Sequence, residues 1–246
     1  MKDLIKQHCT TLRLGTRIAE NYQQIKAETF EQFLEQLLRM EVEEREFNRK
    51  NRLLKQAKFD VIKTFENYSF KNIQIPQSIH VEELKTASFV DKKENLILYG
   101  SVGTGKSHLA TAIGVEACNQ GKKVRFYRTA ALVNELITAK SDGTLKRFLK
   151  TIANTDLLIC DEWGYIPFER EGSQLLFQVI SECYEKRSLI ITTNLEFSKW
   201  NGIFYDEKLT SAIIDRIIHH SHLLIFSGES YRLKHSTIQQ DSRDRN

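Results

Sequence analysis

The chain has 246 residues, 41% hydrophobic and 28% charged, enough for one large domain, or a main domain with a smaller appendage, and for a substantial core. Its net charge of +4 permits nucleic-acid binding without demonstrating it, so the placement of basic residues matters more than their sum. Cys9, Cys118, Cys160 and Cys183 stand far apart with no C-x-x-C, which argues against a disulfide framework or zinc ribbon; no signal-peptide core or membrane-spanning run is visible, so a cytoplasmic chain without a membrane partner is expected.

The first sixty residues read as helical. Leu4, Ile5, His8 and Leu12, then Ile18 and Tyr22, suggest a helix pair interrupted near Gly15. Thr29-Phe30-Glu31-Gln32 resembles a capping box, and Phe30, Phe33, Leu34, Leu37 and Leu38 fall at i, i+3, i+4, i+7 and i+8, an apolar stripe wide enough to pack a small helical bundle. The helix then changes sign. Glu41, Glu43, Glu44 and Glu46 give way to Arg49, Lys50, Arg52, Lys55 and Lys58. Such a run is either a solvated face with intrahelical ion pairs or a basic edge that follows a phosphate backbone. Phe59, Ile62, Phe65, Tyr68, Phe70, Ile73 and Ile75 lead to the break at Pro76; these aromatics are expected to seal a junction between domains, with a base-stacking surface as the alternative. Residues 79–89 offer a short helix, and 91–95 a polar turn.

An apolar strand pattern, Leu96-Ile97-Leu98-Tyr99, then feeds Gly100-Ser101-Val102-Gly103-Thr104-Gly105-Lys106-Ser107, and a helical pattern runs on from His108 to Cys118. This is G-x-x-x-x-G-K-[ST] in the strand–loop–helix setting that the motif requires. Glycines let successive backbone N–H groups turn inward around a polyphosphate, and the helix directs its positive end at the same charge. Lys106 is expected to reach the β- and γ-phosphates, and the Ser107 hydroxyl to ligate Mg²⁺. The expected ligands are ATP and Mg²⁺, with the loop residues 100–107 and His108 as the binding set.

Residues 124–127 read as a second strand, 130–139 as a helix, and 145–152 as a helix made basic by Lys146, Arg147 and Lys150. Leu157-Leu158-Ile159-Cys160 has the continuous apolar character of a strand buried on both faces, and it ends in Asp161-Glu162. At a strand tip beyond a phosphate loop, Asp161 is the natural second Mg²⁺ contact and Glu162 the group that polarises the attacking water. Residues 174–184 form an amphipathic helix. A further buried strand closes on Asn194, whose amide is placed to orient that water or simply to make a turn. Residues 209–220 read as a helix and 223–226 as a last strand, before a polar tail at 239–246. His219, His220, His222 and His235 cluster at a helix end, with no cysteine or acid at ligand spacing in the sequence, which argues against a metal role. Trp163 and Trp200 read as packing residues.

This set resembles the AAA+ ATPases. Residues 96–107, 157–162 and 190–194 look like Walker A, Walker B and sensor 1; Ser211-Ala212-Ile213-Ile214-Asp215-Arg216 looks like the helix of the arginine finger, and Gly228-Glu229-Ser230-Tyr231-Arg232 like a reduced sensor 2. The lead-in from Gln56-Ala57-Lys58-Phe59 to Phe65-Glu66-Asn67-Tyr68, and Asp161-Glu162-Trp163-Gly164-Tyr165, are similar to the IstB-like branch, transposition helpers of bacterial insertion sequences close to the DnaC helicase loaders. The resemblance covers residues 30–234. It implies an α/β fold, a P-loop core with a central parallel sheet in the order 5-1-4-3-2, a helical N-terminal DNA- or partner-binding domain (1–65), an ATPase domain (66–238) and a polar tail (239–246), with no full C-terminal lid. It further implies catalytic roles for Glu162, Asn194 and Arg216, a nucleotide contact from Arg232, ATP held between subunits of a homo-oligomer, and double-stranded DNA and a transposase as partners. Candidate DNA contacts are Arg49, Lys50, Arg52, Lys55, Lys146 and Arg147. The alternative readings are a loader of a replicative helicase and, more distantly, a P-loop small-molecule kinase; Arg216 could instead make a plain surface ion pair.

Overall fold

The computed structural model describes residues 1–234; His235 and the polar tail fall outside the described residues. The chain divides into two units, Met1–Leu53 and a second that begins at Leu54, where the sequence reading drew its division after residue 65.

In the first unit, α1 (Lys2–Thr11) and α2 (Thr16–Asn21) precede the start of the long helix α3 (Phe30–Ala57). Thr29 caps α3 by accepting from the Gln32 N–H at 3.2 Å, while the Gln32 amide reaches back one residue further than a capping box requires, to the Glu28 N–H at 3.0 Å. The small core is Cys9, Ile18 and Ala19, with Ile5, Leu14 and Leu37 packed against it. The expected bundle stripe is therefore only partly used. Leu37 packs inward, whereas Phe30, Leu34 and Leu38 are exposed, Phe30 by 91%. The reason is length: 28 helical residues span about 42 Å, and α1 and α2, with 10 and 6 residues, present too little surface to cover them.

The second unit is a sheet with helices packed on it. Its strands are β1 (Ile73–Gln74), β2 (Asn95–Gly100), β3 (Val124–Arg128), β4 (Leu157–Trp163), β5 (Ser188–Thr193) and β6 (Ser221–Phe226). They lie in the order β1-β6-β2-β5-β4-β3, all parallel except β1, which pairs antiparallel with β6. Counted from the phosphate-loop strand, the five parallel strands stand in the expected 5-1-4-3-2 order. β2 and β5 are buried along nearly their whole length, with Leu96-Ile97-Leu98 and Leu189-Ile190-Ile191 as their apolar centres, as central parallel strands covered on both faces must be. Around them run α4 (Val81–Lys85), α5 (Lys106–Asn119), α6 (Thr129–Ser141), α7 (Leu145–Ala153), α8 (Arg170–Cys183), α9 (Glu207–Ile218) and α10 (Tyr231–Lys234). Trp163 and Trp200 are fully buried, with ring centroids 5.5 Å apart. All four cysteines are free and buried, and burial pushes the thiols of Cys118 and Cys183 up to about 12, so they serve as inert core residues. No helix among the described residues is long and apolar enough to cross a membrane.

Candidate nucleotide site

Parallel strands all end on one side, and the register decides what meets there. Tyr99 is level with Thr193, and Trp163 with Thr193. Gly100, the Asp161-Glu162 pair and Asn194 therefore lie at the C-terminal ends of three adjacent strands, where ligands of open α/β sheets bind.

The loop between β2 and α5 takes its shape from its glycines. A Cβ on Gly100 would stand 2.3 Å from the Phe226 carbonyl oxygen, a backbone atom that cannot turn aside. Gly103 has φ +80°, and a Cβ there would strike Ser230 Oγ at 2.1 Å. Lys106 opens α5 and is buried; its ammonium donates to the carbonyls of Gly100 and Ser101 at 2.7 Å each. Burial pushes its pKa down to about 8, opposed by the charge of Asp161 and assisted by that of Arg232. Arg232, though exposed, is thus felt at the phosphate loop of its own chain. The link is the segment after β6, whose Tyr231 N–H donates to Gly103 O at 2.9 Å.

Ser107 Oγ donates to Asp161 Oδ1 at 2.8 Å. Asp161 is buried, and the Thr192 hydroxyl donates to the same oxygen. Between Cys160 and Trp163 the ladder with β5 slips by one residue, so Asp161 and Glu162 together oppose Thr192. That is a β-bulge, which re-aims side chains at a strand end. Thr192 stitches it, because its hydroxyl also accepts the Glu162 N–H at 3.0 Å. Glu162 is exposed with φ +58°, a left-handed conformation unusual for Glu. The bulge thus buries one carboxylate beside Ser107 and turns the next one out. Thr129 holds the backbone from the other side, its hydroxyl donating to Asp161 O at 2.8 Å.

Asn194 follows β5, and its Oδ1 is buried with no partner among the described residues. An orphaned acceptor costs free energy unless water or a ligand satisfies it. Ser107 and Asp161 offer hard oxygen donors of the kind Mg²⁺ takes, the loop has the positive-φ glycines of a phosphate cradle, and its lysine is capped only by carbonyls. The residues fit ATP and Mg²⁺.

Arg216 is not in this cluster. It lies near the end of α9, which feeds the start of β6; Ser221 there is level with Asn95, the first residue of β2. Its guanidinium donates to Ala212 O at 3.0 Å and stands 4.7 Å from the ring centre of Phe177. One chain therefore holds its own Arg216 towards the N-terminal ends of the strands, and its own phosphate loop at their C-terminal ends.

Several participants escaped the sequence reading. Thr192 lay inside a recognised strand, its polarity the only signal. Arg128, at the tip of β3 and level with Asp161, pairs with Asp60 at 2.8 Å; its pKa is raised by Asp60 first, then by Glu162. The aromatic lead-in packs on the nucleotide unit itself. Phe59 meets Phe126 at 5.9 Å, the Tyr68 hydroxyl donates to Gly105 O at 3.3 Å, and the His108 ring lies 4.9 Å from Tyr68 with a nitrogen 2.9 Å from Thr64 O. Lys50, Arg52 and Lys55 on α3 and Lys146 and Arg147 on α7 are exposed.

Against known proteins, the profile of the IstB-like ATP binding protein family matches residues 12–239. The chain belongs to that family. It is 34% identical over 249 residues to a Geobacillus stearothermophilus protein named for ATP binding in insertion sequence IS5376, covering 99% of each chain. With the corresponding IS21 protein of Pseudomonas aeruginosa it shares 42% identity over 181 residues, 74% of this chain and 68% of the relative. Among solved structures, the DnaC helicase loader aligns with a TM-score of 0.50 at 24% identity, over 66% of this chain and 96% of the loader. The replication initiator DnaA bound to AMPPCP and single-stranded DNA aligns with 0.53 at 21%, over 74% of this chain and 54% of DnaA. These structural likenesses show that this IstB-like chain shares the fold of those proteins.

Proposed function

We propose that this IstB-like protein is a Mg²⁺-dependent ATPase that assembles on duplex DNA and assists a transposase in selecting a target. The observation that carries the reading is the division of labour between the two ends of the strands. The phosphate loop, Ser107, Asp161, Glu162 and Asn194 gather at the C-terminal ends, and Arg216 stands towards the N-terminal ends, so a complete site needs a neighbouring subunit's Arg216. When bound, Mg²⁺ neutralises charge on the β- and γ-phosphates. The residues do the rest. Lys106 gives up its carbonyl partners to bind phosphate, Asp161 and Ser107 hold their oxygens in place through Thr192, Glu162 polarises a water, and the Asn194 amide orients that water. A kinase reading leaves Glu162, Asn194 and Arg216 without a joint role. The fold shared with a helicase loader supports the same core chemistry and says nothing of the partner. DNA is supported by the exposed cations of α3 and α7 and by the insertion-sequence setting of the relatives.

The test is ATP hydrolysis by the purified chain with and without plain duplex DNA, together with its sedimentation. Turnover should rise on DNA as the protein assembles there with ATP. Unchanged turnover and a chain that stays monomeric on DNA would overturn the reading.

A further inference from the structure

The histidines at the end of α9 acquire in the fold what they lack in the sequence. Glu185, in the turn between α8 and β5, meets His219 and His220, in the connection from α9 to β6. One ring nitrogen of each histidine and one carboxylate oxygen of Glu185 lie within 4.8 Å of one another. Glu185 Oε1 is 3.5 Å from His220 Nε2, and the two rings are 4.1 Å apart between centroids. The Tyr184 hydroxyl stands 2.9 Å from His219 Nδ1, the ring nitrogen that itself lies 3.9 Å from Glu185 Oε1. His222 takes no part; it is buried, with Nδ1 2.8 Å from Ser78 Oγ.

We propose that Glu185, His219 and His220 form a binding site for a divalent transition ion. Two imidazoles and one carboxylate suit Zn²⁺, Cu²⁺, Ni²⁺ or Co²⁺, whereas Mg²⁺ and Ca²⁺ require oxygen ligands. The three groups are exposed, so water completes the coordination and the ion exchanges with solvent. The site lies at the N-terminal ends of β5 and β6, and Asp161 and Asn194 lie at the C-terminal strand ends. The ion therefore takes no part in phosphate chemistry. What it does is cross-link two connections that are remote in sequence, one of them three residues beyond Arg216, and so stiffen the end of α9 that carries this arginine. The site itself rests on geometry alone and does not depend on the proposed ATPase activity.

The experiment is titration of the metal-free, nucleotide-free full chain with Zn²⁺ by calorimetry, and with Co²⁺ by its visible ligand-field absorption, both in excess Mg²⁺. One ion per chain should bind, with a rise in melting temperature. Glu185→Gln should weaken binding roughly tenfold or more, the size seen when a metal site loses a supporting group, and the His219→Ala/His220→Ala double variant should lose that ion. All three side chains are exposed, so the variants should fold, which circular dichroism checks. Ser107→Ala, which alters the other oxygen cluster, should leave Zn²⁺ stoichiometry unchanged. Absence of Zn²⁺ binding by the wild-type chain, or equal binding by the double variant, would overturn the proposal.

Discussion

At the scale of single residues, the site works by holding charged groups against their preference for water. Lys106 is the clearest case. Its folded pKa of about 8 lies below the ordinary 10.5, so burial of the ammonium costs stability in full below the folded pKa. That cost is relieved as pH rises from about 8 to 10.5, because the folded state gives up its proton first. A bound polyphosphate restores the preference for the charged form. ATP binding at about pH 9 should therefore take up protons, read as a dependence of calorimetric heat on buffer ionisation enthalpy. Identical heats in all buffers would show that Lys106 is already fully charged there. Glu162→Gln should keep ATP binding and stop hydrolysis, and normal turnover would move the water-polarising role elsewhere. Thr192→Val removes both of the Thr192 hydroxyl's hydrogen bonds to the bulge. It should cost about 1–3 kcal/mol in urea unfolding and reduce turnover more than ATP affinity; wild-type turnover would deny the bulge its role in aiming Glu162.

At the scale of elements, what could be read in the sequence was what is written locally. The run Leu157-Leu158-Ile159-Cys160 announces a doubly buried strand, and glycine spacing announces the phosphate loop. Features made by two distant segments were not legible. The bulge at Asp161-Glu162 depends on Thr192 of another strand, β1 is two residues long and too short for periodicity, and Glu185 meets His219 and His220 only through the fold. The apolar stripe of α3 was seen, but the sequence does not say how little α1 and α2 can cover. The docking of the post-β6 segment on the loop was also invisible, and it can be tested. Gly103→Ala should destabilise the chain by about 1–2 kcal/mol through its left-handed backbone alone, and by more through its collision with Ser230. Adding Ser230→Gly should recover the second part only, as read by melting temperature. Failure of the double variant to recover anything would mean that Ser230 does not rest on Gly103 in solution.

At the scale of the molecule, the sheet separates the parts of the proposed reaction. The nucleotide cluster occupies the C-terminal ends of the strands, while Arg216 is parked on Phe177 towards the N-terminal ends, so the proposed activity belongs to an assembly and not to a chain. DNA provides the scaffold for that assembly in this account. Affinity for duplex should then fall steeply with salt, by about 0.9 log units of slope for each phosphate neutralised, and substitutions among Arg49, Lys50, Arg52, Lys55, Lys146 and Arg147 should flatten the slope. The shared site is the central claim, and mixing two inactive variants tests it most directly. Arg216→Ala keeps an intact loop and lacks the arginine; Lys106→Ala keeps the arginine and lacks a working loop. A neighbour's arginine is worth about 10³–10⁵ in rate, so each variant alone should be nearly inactive on duplex DNA, with Arg216→Ala still binding ATP. Mixed in equal amounts on the same DNA, they should regain a measurable fraction of wild-type hydrolysis, whereas a mixture no more active than its parts, with both variants assembled, would contradict the shared site.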